Sequence, residues 1–187
     1  MRRGDRAVLI DELLLDARAR LAGIPQVPMG RLAHPPRLLS AFVGTRIVPD
    51  GSAWALGVLL LGVDRRGVDG VWATGEVVRA RPEDRRGYTA ESARRRGELA
   101  AAASRGGFAD GVAVQLPAMR LDVAGLAAAW VDAAGIVAHG IDAGPASPLA
   151  IIDGAPMVRW SASAPMMPLA PYLDERIRLL LDPPARA

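Results

Sequence analysis

The chain has 187 residues, 51% hydrophobic and 23% charged; Arg supplies all 23 basic side chains, and Lys, Asn and Cys do not occur. This excludes a Schiff-base or phosphate-gripping lysine, a thiolate nucleophile, an iron–sulfur cluster, a zinc–thiolate site and any disulfide. The net charge is only +3, and the sequence pI near 10.4 follows from having two His, two Tyr and no Lys or Cys to buffer alkaline pH, so it does not by itself imply nucleic-acid binding.

Arg, Ala, Gly and Pro have GC-rich codons, so a GC-rich bacterial genome accounts for the bias. The length suits one domain with its own core. The basic start Met1-Arg2-Arg3 resembles that of a signal peptide, but Asp11, Glu12 and Asp16 interrupt the apolar run that would follow. The longest apolar stretch, 53–62, is about half a membrane span. A cytoplasmic protein without membrane contact is expected.

Residues 5–22 predict an amphipathic helix, with Ile10, Leu13, Leu14, Ala17 and Leu21 on one face and Asp16, Arg18 and Arg20 elsewhere on the wheel. Gly23 and Pro25 end it. Four prolines between 23 and 36 suggest a stiff connector. A three-stranded antiparallel meander is expected over 38–81. Its first strand is 38–48, its first hairpin turn Pro49-Asp50-Gly51, its central strand 54–62 covered on both faces, its second turn 64–70 and its last strand 71–81. A helix follows over 90–104, capped by Thr89 and closed by Arg105-Gly106-Gly107. Residues 112–116 read as a short strand. Asp122 starts a helix over 123–138 with an apolar stripe. The segment 140–168 is loose and rich in Ala, Pro and Ser, but contains a hairpin over 149–160 across Asp153-Gly154. A last helix over 171–181 begins near Pro171 and stops at Pro183-Pro184.

Few residues offer chemistry. His34 lies in a Pro-rich loop and His139 at the end of the 123–138 helix, where it suits the dipole. Neither has another ligand four residues away, so no metal is expected. Ser161 and Ser163 lack the strand-to-helix turn of an activated serine. Asp142 and Asp153 bracket the Pro-rich segment. Glu76 interrupts an apolar strand face, where it either sits in a cleft with its acidity weakened by burial or pairs with an Arg on the neighbouring strand; the pair is the simpler reading.

The Arg cluster of 79–105 includes Arg79, Arg81, Arg85, Arg86, Arg94, Arg95, Arg96 and Arg105. Arg is the best side chain for anions, yet three consecutive Arg spread over about 200 degrees of a helical wheel at 3.6 residues per turn. Acids interrupt the run, and Tyr88 is the one residue there that could stack on a base. The pattern argues against nucleic acid and for a solvated helix face. Gly106-Gly107 lacks a dinucleotide fingerprint's context.

The expected architecture is a single α+β domain, 1–187. An antiparallel sheet of about five strands (meander 38–81 plus hairpin 149–160) carries helices near 5–22, 90–104, 123–138 and 171–181 mainly on one face. The expected function is a non-catalytic binding or assembly protein acting through a protein surface, with a protein partner or a second copy of itself and no cofactor. An enzyme on a small anionic substrate is the alternative. It would bind through Arg79, Arg94 or Arg105 and move protons through Glu76 or His34. Nucleic-acid binding through the 79–105 cluster ranks third.

Overall fold

The computed structural model describes residues 3–34, 44–83, 91–128, 130–131, 137–138, 147–161 and 163–183. The first element, α1 (Arg3–Leu21), buries Ile10, Leu14, Ala17 and Leu21, the stripe that its periodicity sets. Gly23, at φ +92°, closes it, with Ile24 N–H donating to the Leu21 carbonyl.

Seven strands then form one mixed sheet. They are β1 (Val27–Ala33), β2 (Arg46–Leu56), β3 (Leu59–Asp64), β4 (Asp69–Ala73), β5 (Glu76–Arg79), β6 (Ala113–Leu116) and β7 (Met119–Arg120). The spatial order is β5-β6-β1-β2-β3-β4-β7, with the β1–β6 pair parallel. Its two edges share chain. Only Thr74-Gly75 separates β4 from β5, and only Pro117-Ala118 separates β6 from β7. The pairs Trp72↔Arg120, Ala73↔Met119, Glu76↔Leu116 and Arg79↔Ala113 lie on one continuous register. The sheet therefore curls round until its paired strands close a ring.

This corrects the expected meander. The stretch 27–33, expected as a connector, is β1, which pairs with β2 despite Pro28. The Asp-Gly signal at 50–51 makes no hairpin, because Met29 pairs with Gly51 and Gly30 with Pro49. Asp50 is thus the extra residue of a β-bulge inside one long strand, and Gly51 takes the φ of +119°. The true hairpin lies inside the expected central strand, at Gly57-Val58, where Gly57 at φ +66° occupies the first turn position. Leu59 to Gly62 of β3 are nevertheless all buried, so both faces of this strand are covered as expected. The expected strand 71–81 is broken at Thr74-Gly75. Of the expected strand 38–48, residues 38–43 lie outside those described.

The helix α2 (Glu91–Arg105) turns Ala102 and Ala103 onto Ile47, Val78, Ala80 and Val114, a small core separate from the main one. It ends at Gly106-Gly107, and Gly106 lies against the Ile47 carbonyl with no room for a Cβ. Thr89, the expected cap, lies outside the described residues. The helices do not all share one face, since α2 covers this second core while the others gather around the first.

The expected helix 123–138 is also corrected: α3 (Val123–Ala128) is six residues long. Beyond it, β8 (Trp130–Val131) and β9 (Val137–Ala138) pair with each other, and Val131 pairs with Ile152. Gly135 costs a helix about 1 kcal/mol, and sheet pairing outweighs the stripe. The hairpin forms at the expected turn but ends two residues short of 160: β10 (Leu149–Ile152) and β11 (Ala155–Val158) flank Asp153 (φ +49°) and Gly154 (φ +82°), the two positive φ values of a type I′ turn. With β12 (Met167–Pro168) these make a second sheet, ordered β12-β11-β10-β8-β9. The last helix, α4 (Leu169–Leu181), starts two residues before Pro171 and buries Leu169, Tyr172, Leu173 and Ile177. One apolar cluster joins α1, β3, β4, α3, β10, β11 and α4. No helix among the described residues is long and apolar enough to cross a membrane.

Candidate functional site

Arg18, in the last turn of α1 and off the apolar face of its wheel, borders the buried stripe. Its side chain is only 16% exposed. Nη1 donates to the Gly62 carbonyl at 3.1 Å and Nη2 to the Gly70 carbonyl at 2.9 Å, and Nη1 lies 3.2 Å from Asp69 Oδ1. Burial pulls its pKa below the ordinary arginine value, and the Asp69 charge partly offsets this. Arginine remains a cation throughout.

A second arginine approaches from β7. Arg120 Nη2 donates to the Asp69 carbonyl at 2.9 Å, Nη1 lies 3.4 Å from Asp64 Oδ2, and the guanidinium sits 5.5 Å from the centre of the Trp72 ring. Asp64 ends β3, where its Oδ1 accepts from the Val68 N–H and Arg66 N–H of the following turn. Those hydrogen bonds, with the charges of Arg120 and Arg66, hold its carboxyl below the ordinary carboxylate range. Asp64 is therefore ionised at neutral pH.

Between these arginines and the helices lies an open cleft of about 740 Å³. Leu14, Val71, Leu121 and Val123 give it apolar lining; Leu15 stands at its lip, 62% exposed. Asp11 from α1 and Asp122 from the start of α3 supply carboxylates. Asp122 also caps α3, its Oδ1 accepting from Gly125 N–H at 2.9 Å.

The residues singled out from sequence do not converge on one point. Glu76 lies 3.6 Å from Arg95, which stands on α2 and not on the neighbouring strand. Arg94 pairs with Glu98 one turn along, and Arg96 Nε donates to the Ser92 carbonyl. Arg79 donates to the Gly111 carbonyl at 2.7 Å. Arg105 reaches Glu83 and the Thr45 carbonyl on the far side of α2. Glu76 and Arg79 do share a smaller open cleft of about 410 Å³ between β5 and α2, with Arg81 and Arg96. His34 follows β1 in exposed coil, away from both clefts. Ser161 and Ser163 lie in the turn after β11, and Asp153 in the hairpin turn. His139, Asp142, Arg85, Arg86 and Tyr88 lie outside the described residues. Among those described, no three His, Asp or Glu side chains are grouped to hold a metal ion.

The larger cleft escaped sequence reading because α1, β4, β7 and α3 meet there from positions spread over more than one hundred residues of the chain. Its one local signal was a charged Arg18 beside buried Ala17 and Leu21. Comparison with protein-family models, with curated proteins and with solved structures returns no match for this chain.

Proposed function

We propose that the chain is a cytoplasmic, non-catalytic binding or assembly protein that works through a protein surface, and that the cleft between α1, β4, β7 and α3 is that surface. The observation that carries this reading is the way Arg18 and Arg120 are fixed. Three backbone carbonyls and two carboxylates hold them beside an open cleft with exposed Leu15 at its lip. Such guanidinia hold a shape and move no proton. A preorganised rim around an apolar anchor is what recognition of another chain uses, since little ordering entropy remains to be lost on binding.

The test is selection of a displayed peptide library on the wild-type protein, followed by counter-screening on Leu15→Arg. Enriched peptides should lose Leu15→Arg while its urea midpoint stays unchanged. Peptides indifferent to that substitution, or no enrichment, would sink the proposal. If a second copy is the natural partner, light scattering will show an oligomer that Leu15→Arg dissociates.

The β5–α2 cleft favours a second reading, an enzyme on a small anionic substrate, because it gathers Arg79, Arg81 and Arg96 with Glu76. Calorimetric titration with inorganic phosphate tests it. Binding lost in Arg79→Ala and Arg96→Ala would move the assignment to this site.

A further inference from the structure

Resting on the surface reading above, we infer that the occupant of the α1–α3 cleft is a basic segment of a partner protein, in which Arg or Lys flanks an apolar side chain. The positive charges of the cleft are already matched within the chain. Arg18 faces Asp69, Arg120 faces Asp64, and each also donates to backbone carbonyls. The negative charges are not. Asp11 and Asp122 are exposed, line the cleft, and form no ion pair among the described residues.

The cleft thus presents, over an apolar floor, two carboxylates with no cationic partner among the described residues, Asp122 accepting from the Gly125 N–H. An acidic segment would meet both and would have to draw Asp69 and Asp64 off their arginines. A basic segment answers both at once, and complementary rim charge sets which partner is accepted and how fast it arrives. Leu15, exposed at the lip, and the half-buried Val123 require an apolar side chain as well, because a purely polar segment would leave that surface in water.

Fluorescence anisotropy with three labelled synthetic peptides of about 14 residues tests this, the first carrying Leu at helical spacing with Arg between. The second replaces every Arg by Glu and the third every Leu by Ser. The Arg–Leu peptide should bind the wild-type protein, and more weakly as salt is raised. Removing both carboxylates in Asp11→Asn/Asp122→Asn, where Asn still caps α3, should weaken it by about tenfold. The other two peptides should bind far less, and Leu15→Arg should bind none. Equal or tighter binding of the Glu peptide, or an unchanged affinity in the double variant, overturns the charge assignment. If Leu15→Arg still abolishes binding in that case, the surface reading survives. Indifference of every peptide to Leu15→Arg removes both. Urea midpoints of the variants confirm that each is folded.

Discussion

The phenolic oxygen of Tyr172 occupies the space that a Cβ on Gly57 would need. There it donates to the Leu56 carbonyl at 2.7 Å and accepts from Val58 N–H at 2.8 Å. Helix α4 is thereby latched onto the β2–β3 turn, and Arg176 lies 5.2 Å over the same ring. The turn needs Gly57 for its positive φ and again because the tyrosine leaves no room for a side chain.

Tyr172→Phe should lower unfolding free energy by about 1–3 kcal/mol, because the Leu56 carbonyl and the Val58 N–H lose their shared partner. Gly57→Ala should cost about 1–3 kcal/mol through strain at positive φ, plus displacement of the hydroxyl. In the double variant the hydroxyl is gone, so the two losses should sum to less than additive. Urea denaturation of the four proteins measures the coupling, and strict additivity would show that the latch does not exist.

The same latch sets an alkaline limit. Burial raises the Tyr172 pKa above the ordinary phenol value, and the hydrogen bond from Val58 and the Arg176 charge only partly oppose this. The folded state thus prefers the neutral phenol. That contribution is complete below the unfolded-state pKa of about 10 and is lost as pH rises through the higher folded-state value. The wild-type protein should lose stability above pH about 10 more steeply than Tyr172→Phe in a series of denaturation curves.

Asp64 shows the opposite sign. Its folded-state pKa is depressed, first by the Val68 and Arg66 N–H groups, so its contribution is present above the ordinary carboxylate pKa and disappears as pH falls through the folded value. Asp64→Asn should be less stable than wild type at neutral pH. The two curves should converge under acid, and a gap that persisted there would contradict the account.

Arg18→Met should destabilise by about 1–3 kcal/mol, since the part-buried Gly62 and Gly70 carbonyls lose their donor. Arg18→Lys should restore little, because one ammonium cannot supply the fork that spans two carbonyls and Asp69. A lysine variant as stable as wild type, by urea midpoint, would argue against that geometry.

In the β10–β11 hairpin, Gly154→Ala should cost about 1–2 kcal/mol, the penalty for a side chain in the left-handed region. Asp153→Gly should be nearly neutral, as Asp already tolerates that region less well than Gly. Thermal denaturation of both variants checks the ranking.

Elements whose signals are local are legible in the chain alone. The α1 stripe from Ile10 to Leu21, the closure of α2 at Gly106-Gly107, and the Asp153-Gly154 turn each depend on residues a few positions apart. Where the same signals misled, a partner distant in sequence had overridden them. Asp50-Gly51 is a turn only if no strand runs past it, and β1 does, so the dipeptide became a bulge. The apolar stripe of 123–138 is a helix only if no strand competes, and β10 does. Tertiary packing closes the seven-stranded sheet and brings Arg18 to Asp69, Asp11 and Asp122 to one cleft, and Tyr172 to Gly57. Each needs chain segments brought together by core burial, and burial is non-directional. Composition and periodicity announce that a surface will be buried, but only the packed fold selects what covers it.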